Sequence, residues 1–410
     1  MNKFGLFGAF GVELEYMIVD RETLQIKPIA DELLKHELGH YGSDFVNDIV
    51  TWSNELALHV IELKSSEPEV NFNSLEHGFV DNVQRINRAL QKWNAMLMPS
   101  AMHPFMKPEA EMKLWPHDNN EIYKVYNTIF DCRGHGWSNL QSTHLNLPFS
   151  SDEEFAKLHA AIRLVLPILP ALCASSPIVE GKFTGMLDTR LKYYGENQKR
   201  IPSIAGQIIP EPIFSQRKYE TNIYDSIKKD IAPFDPDSIL DPVWVNSRGA
   251  IARFDRGTIE IRLMDVQECP SADMAIQSLV IAALRSLVNE EHFSYTEQIE
   301  ASTEILEGIY QDTRINGMQT EIYSSEFLSF FGITEFTTAG AVWAKIYNDL
   351  AHTGTPPVSK WEPEITIILN QGSLAERIVK SLEGDYSEGA IKEVYRRLCG
   401  CLDQNKLFIL

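Results

Sequence analysis

Polar and apolar positions alternate, or β-branched residues run together, in five stretches of the chain: Gly8–Asp20, Ala57–Ser66, Trp137–Asn146, Val243–Phe254 and Thr258–Asp265. A period of two predicts strands with one face buried. Longer apolar periods predict helices over Ser74–Met96, Ser151–Ser175, Asn222–Ile231, Ala272–Val288, Tyr295–Asp312, Ala339–Ala351 and Leu374–Leu382. Pro167 and Pro170 fall inside the second of these, so that helix should bend or break there. Residues 181–212 are rich in Gly, Pro and basic side chains without a period, which marks a long irregular segment of the kind that carries function. Beyond Asn289 the pattern predicts helix throughout. Strands and helices do not alternate as βαβ units, so the expectation is an α+β fold with an antiparallel or mixed sheet. A single catalytic domain over 1–410 is expected, with a sheet-containing core over 1–288 and a helical part over 289–410 packed on it; nothing resembles a free linker.

The polar faces of these strands are where the chemistry lies. Residues two apart on a strand share a face, so Glu13 and Glu15 project side by side, opposite Val12, Leu14 and Tyr16. Glu62 and Lys64 share a face, as do His144 and Asn146, and Glu260 and Arg262. Glu55 lies seven residues before Glu62, so the two meet only if Glu55 sits in the loop before the strand or if a bulge intervenes. Taken singly, each pair reads as well as a solvated edge or an in-strand ion pair. Taken together, five glutamates and one histidine can line one sheet face. Oxygen donors with one imidazole suit Mg²⁺ or Mn²⁺, and Arg262 beside them adds a positive group for phosphate or carboxylate.

Composition narrows the partners. The 410 residues are 44% hydrophobic and 23% charged, ordinary for a globular chain, and no run of about 18 apolar residues predicts a membrane span. The start, Met1-Asn2-Lys3-Phe4, reads poorly as a secretory signal because glycines and Glu13 interrupt its apolar stretch. A formal net charge of −20 argues against nucleic acid as a partner. The five cysteines are scattered without zinc spacing and read as reduced thiols, which points to the cytoplasm.

Gly11-Val12-Glu13-Leu14-Glu15, Glu55-x₆-Glu62, Thr143-His144-Leu145-Asn146 and Thr258-Ile259-Glu260-Ile261-Arg262-Leu263-Met264-Asp265 come in the order and context of the glutamate–cysteine ligase family. Leu166 to Pro177, Gly181-Lys182-Phe183-Thr184-Gly185 with Arg190, and Gln371 to Ile378 resemble further segments of it. The likeness spans Phe7 to about Val379, and the pattern is most similar to family 2 within the glutamine-synthetase-like superfamily. It implies a curved, mostly antiparallel sheet forming a funnel with outer helices, metals on the inner face, and ATP-dependent joining of a carboxylate to an amine through an acyl phosphate, with amino acids as substrates. By motif position Glu13, His144 and Glu260 would hold one Mg²⁺, and Glu15, Glu55 and Glu62 the other. Arg262 would meet the ATP γ-phosphate, with Lys64 and Arg253 as further ATP contacts. Arg190, Thr184 and Asn146 are the candidate substrate contacts, and Glu55 is the candidate base for the amine. After Gly185 the chain departs from the family pattern, so the acid and amine are not named by it. A guanidino-kinase-like phosphotransferase, a metallohydrolase and a non-catalytic metal-binding protein stand as the other readings; a homo-oligomer is compatible with all of them.

Overall fold

Ten residues of alternating character, Gly11–Asp20, form the central strand β1. Its Val12, Leu14, Tyr16 and Ile18 side chains are fully buried on one face. The computed structural model describes residues 4–354 and 357–410; the basic start over residues 1–3 lies outside them. Around β1 gather β2 (Asp44–Asn47), β3 (Val50–Asn54), β4 (Val60–Ser65), β5 (Ala95–Met98) and β6 (Ser142–Pro148). A hairpin of β7 (Ile178–Val179) and β8 (Lys182–Phe183) stands apart, and β9 (Ala250–Arg253) and β10 (Thr258–Asp265) complete the sheet. The sheet has eight strands in the order β2-β3-β4-β1-β6-β10-β9, with β5 pairing β1 beyond β6, and every pairing within it is antiparallel.

The outer face of the sheet carries Val12, Leu14, Ile18, Ile61, Leu63, Leu145, Leu147, Ile259 and Ile261. They share one apolar cluster with residues of the helices Phe72–Leu90, Asp152–Val165 and Pro270–Val288, and of the C-terminal helices Thr303–Asn316 and Ala339–Leu350. Burial of that many large side chains, each worth about 1.5–3 kcal/mol, fixes which face is which. The inner face is divided along β1. Glu13 and Glu15 occupy one end. Met17 and Val19 occupy the other, beneath Leu374, Ile378, Ile391, Tyr395 and Leu398 of helices Leu374–Leu382 and Glu388–Gln404. The last helix therefore walls off one end of the inner face. Helices Asp152–Cys173 and Pro270–Val288 are long and apolar enough to cross a membrane, but 94% and 89% of their apolar windows are buried inside the protein, as core helices are.

Several sequence expectations shift. The helix over 151–175 breaks where its prolines stand, passing from Asp152–Val165 through a 3₁₀ turn at Leu166–Ile168 to Leu169–Cys173. The strand expected from Trp137 begins only at Ser142, because residues 135–138 close a helical turn after Gly134. The strand expected from Val243 is reduced to Ala250–Arg253: Asp241 caps a helical turn by accepting from the Val243 N–H, with Pro242 at its first position. The helix expected to reach Met96 stops at Leu90, and Asn94 in the left-handed region (φ 51°) turns the chain into β5. Beyond Asn289 the chain is not wholly helical, since Glu321–Ile322 and Thr337–Thr338 pair as short strands. The hairpin of β2 and β3 and the helices Ala30–Leu38 and Asn120–Phe130 are additions to the sequence reading. All five cysteines are free thiols.

Candidate active site

Strand register builds the site. Glu13 lies directly opposite His144 across β1 and β6, Glu15 opposite Glu62 across β1 and β4, and Glu260 opposite Asn146 across β10 and β6. Glu55 follows the last residue of β3, in the connection to β4, so of the two routes left open by spacing the loop is the one taken. Two groups of side chains result. Glu13, His144 and Glu260 each offer one ligand atom within 4.8 Å of the others, and so do Glu15, Glu55 and Glu62. His144 Nδ1 stands 2.7 Å from Glu13 Oε2 and 3.6 Å from Glu260 Oε1. Ser142 ties the groups together: its N–H and hydroxyl donate to Glu15 Oε2 at 2.7 and 3.0 Å, and its Oγ lies 2.9 Å from His144 Nε2.

Cations rim the carboxylates. Arg262 Nε is 3.3 Å and Arg253 Nη1 3.9 Å from the Glu260 carboxylate; Lys64 Nζ is 3.2 Å from Glu62 and 3.3 Å from Asp44. Asn146 Nδ2 donates to Glu13 Oε1 at 3.1 Å. Arg190 has a different setting: its guanidinium pairs with Asp265, and its side chain is only 2% exposed. Thr184 hydrogen-bonds within its own loop, 2.6 Å from Thr189 Oγ1. A cavity of about 470 Å³ lined by Gln25, Phe105, Lys107, Glu180, Glu388 and Lys392 lies at the far end of β1, and none of the grouped carboxylates borders it.

A β-bulge shapes the β10 side. Ile261 pairs with Leu145 and Met264 with Thr143, so Arg262 and Leu263 together oppose the single residue His144. Gly249 permits the bulge, because a Cβ there would come within 2.7 Å of Leu263 and 2.9 Å of the Ile208 carbonyl. Strict alternation puts Asp265 on the outer face. The bulge resets the phase and pairs Asp265 with Ser142, on the same face as Glu260. Asp265, Ser142 and Tyr123, whose hydroxyl accepts from Asn54 Nδ2 at 3.0 Å beside Glu55, have no site role in the sequence reading. The first lies on the wrong face in an unbulged strand, and the other two are ordinary strand and helix residues until the fold places them.

The electrostatics reflect crowding. Burial pushes the Glu62 carboxyl well above its usual range, with the charges of Glu13, Glu55 and Glu15 adding to the effect against Lys64. Burial and then Glu15 raise Glu55 to about 7. Burial would raise Glu13 as well, but the hydrogen bond and charge of His144, with Arg262 and Lys64 behind, hold it down at about 2. Burial works against the His144 imidazolium, and the Glu13 carboxylate outweighs it, so His144 is raised. Hard oxygen donors with one imidazole, more anionic than the neighbouring side chains neutralise, fit Mg²⁺ or Mn²⁺. With a folded pKa above the unfolded one, Glu55 and Glu62 favour folding fully below about pH 4.5 and lose that contribution as pH rises through their folded values. His144 acts in the same direction. Glu13 acts in the opposite one, but only between about 4.5 and 2. In EDTA the melting temperature should therefore fall from pH 5 to pH 8. Glu55 alone contributes on the order of 3 kcal/mol, and Glu55→Gln should flatten the slope. A melting temperature that rises over that range, or a slope unchanged in the variant, contradicts this assignment.

The family model of glutamate–cysteine ligase family 2 matches residues 9–396. The chain belongs to that family. An uncharacterised protein of Archaeoglobus fulgidus is 38% identical over 283 residues, 68% of this chain and 75% of that one. A protein of Bradyrhizobium sp. strain ORS 278, provisionally named glutamate–cysteine ligase 2, is 25% identical over 68% of this chain, and the match spans 62% of its length. The fold is shared with solved structures. The glutamate–cysteine ligase of Francisella tularensis, solved with AMP, superposes with a TM-score of 0.61 at 11% identity over 98% of this chain and 90% of that one. A bifunctional glutathione synthetase of Pasteurella multocida gives 0.64 at 14% identity, over 97% of this chain and 52% of that one.

Proposed function

We propose that this family 2 member is an ATP- and Mg²⁺-dependent carboxylate–amine ligase acting as one catalytic unit over its whole length. The observation that carries the reading is the pair of three-residue donor groups side by side on one sheet face with Arg262 at their edge. A carboxylate is a poor electrophile at neutral pH. Attack of a substrate carboxylate oxygen on the ATP γ-phosphorus forms a P–O bond, breaks the β–γ bridge and releases ADP, leaving an acyl phosphate. Attack of the amine nitrogen on the acyl carbon then forms the C–N bond and expels inorganic phosphate, and the nitrogen gives up its proton. Negative charge concentrates on the transferring phosphoryl group, so the protein's task is positioning and charge stabilisation.

Glu13, His144 and Glu260 would hold one divalent ion and Glu15, Glu55 and Glu62 a second. Bound Mg²⁺ supplies Lewis-acid neutralisation of the phosphate oxygens. Arg262 presents a planar guanidinium beside Glu260, suited to the equatorial oxygens of the transferring group, with Arg253 and Lys64 extending the positive rim. Asn146, which holds Glu13 by a hydrogen bond, keeps a carboxyl of the first group oriented. Membership of the family supports amino-acid substrates, with glutamate as acid and cysteine or another amine as acceptor. The test is a screen of amino-acid pairs with ATP and Mg²⁺, reading ADP, phosphate and amide by mass spectrometry. Equimolar ADP, phosphate and amide, all abolished by EDTA, are expected. Phosphate transferred intact to an acceptor, or hydrolysis that proceeds without ATP, would replace this reading with a phosphotransferase or a hydrolase.

A further inference from the structure

We propose that Arg190 is a positioning residue for Arg262 and not a ligand of the acid substrate; the proposal rests on the ligase reading for its kinetic consequences only. The bulge in β10 puts Arg262 and Leu263 opposite one residue of β6, which interrupts the regular ladder where the side chain of Arg262 must be aimed. The Arg262 N–H is secured by the Gly249 carbonyl at 2.9 Å. Its carbonyl receives Arg190 Nη2 at 3.4 Å, and Arg190 Nε donates to the Asp265 carboxylate three residues further along the same strand. One guanidinium thus spans the bulge from Arg262 to Asp265.

The anchor is itself anchored. Asp265 is fully buried and accepts from the Ser175 N–H and the Ser176 hydroxyl, both at 2.8 Å, while Ser176 Oγ accepts from the Arg190 N–H at 3.1 Å. Asp188, two residues before Arg190, caps the helix Thr189–Glu196 by accepting from the Leu191 N–H at 2.9 Å. The loop that departs from the family pattern is therefore pinned to β10 at both ends of this bridge. The Arg190 side chain is 2% exposed, with Nε held by Asp265 and Nη2 by the Arg262 carbonyl, so an acid substrate would meet a guanidinium already engaged. The planar, two-sided reach of arginine is what the position uses, and lysine cannot hold Asp265 and the Arg262 carbonyl together.

Arg190→Lys is the test, with Ser176→Ala as a milder variant that weakens the same bridge without removing a buried charge. Each is measured by steady-state kinetics with the acid varied, by thermal melt, and by amide hydrogen exchange in the full-length protein. In Arg190→Lys, kcat should fall about tenfold or more while KM for the acid stays within about twofold. Combined with Arg262→Lys it should add little, because both act through one side chain. Exchange at the Arg262 and Leu263 amides should quicken while that of Val12–Leu14 is unchanged, and Ser176→Ala should show the same pattern more weakly. A KM for the acid raised about tenfold with kcat kept, losses that multiply in the double variant, or unaltered exchange at the bulge in whichever variant folds, each overturns the proposal. Should the wild type make no amide from any pair, the ligase reading fails, and the exchange measurement alone still decides whether Arg190 holds Arg262 in place.

Discussion

Arg262→Lys should keep the fold and the affinity for Mg²⁺ while losing about 10²–10³-fold in ATP-dependent turnover. The two halves of that expectation come from different observations. For stability, the Arg262 side chain is a quarter exposed and its ion pair with Glu260 spans 3.3 Å. A partly solvated pair of this kind is worth about 1 kcal/mol or less, and lysine retains the charge. The backbone at this position is held through the Arg262 N–H on the Gly249 carbonyl, which the substitution leaves untouched. For catalysis, a charge-stabilising donor aimed at a developing anion is worth about two to three orders of magnitude in rate, and an ammonium lacks the planar fork that meets two phosphoryl oxygens at once. Arg262→Ala should lose more, because Glu260 also loses a neighbour. The measurement is phosphate release at saturating ATP and Mg²⁺ beside a thermal melt. Near-normal turnover in the lysine variant would make Arg262 a structural partner of Glu260 and move the phosphate site elsewhere on the face.

How much of this was legible in the sequence follows from the geometry of strands. Glu13 and Glu15 are readable as neighbours because β1 is regular and its outward residues, Val12, Leu14 and Tyr16, are all large and buried. His144 and Glu260 are readable as members of a polar face for the same reason. That Glu13 faces His144 and Glu15 faces Glu62 is a matter of register, which no single strand encodes. The bulge at Arg262 is likewise invisible: the run Ile259, Ile261, Leu263 looks like an unbroken apolar face, and the extra residue shows only when β6 is laid beside it. Its consequence is that Asp265 changes faces and Arg190 gains a buried partner. Short elements escape for another reason. The Asp44–Asn47 strand and the Thr189–Glu196 helix have too few residues to display a period, and Asp188, which caps the latter, reads as a loop acid until its partner N–H is placed. The wall built by Glu388–Gln404 comes from a helix whose buried face matches residues 17 and 19 of β1, a contact between the two ends of the chain that local periodicity cannot reveal.

Glu62→Gln should raise the melting temperature of the metal-free protein and weaken its response to Mg²⁺. In the fold Glu62 is buried beside Glu15, its direct cross-strand partner, with Glu55 in the same group, and only Lys64 offsets it. Burial and the neighbouring carboxylates press it toward the neutral acid, so the unliganded protein carries a group that disfavours folding at neutral pH. Glutamine has the same shape without the charge. Removing it should stabilise the metal-free form by about 1–3 kcal/mol, which for a chain of this size is a rise of ~1–3 °C. The same change deletes one of three oxygen donors. In the wild type, Mg²⁺ at ~100 times its dissociation constant should add about 2.7 kcal/mol by mass action; in Glu62→Gln that increment should shrink to the share of the Glu13, His144 and Glu260 group. Turnover should fall by ~10²-fold or more, since the phosphate charge loses a counter-ion. Glu260→Gln serves as the contrast, because Arg262 and Arg253 already face Glu260: it should lose Mg²⁺ response without gaining metal-free stability. The experiment is a set of thermal melts in EDTA and in a Mg²⁺ titration for the three proteins, with turnover measured on the same samples. If Glu62→Gln melts lower than the wild type in EDTA and keeps a full Mg²⁺ shift, the crowded carboxylates are not metal holders, and the two donor groups are the polar lining of a site that works without divalent ions.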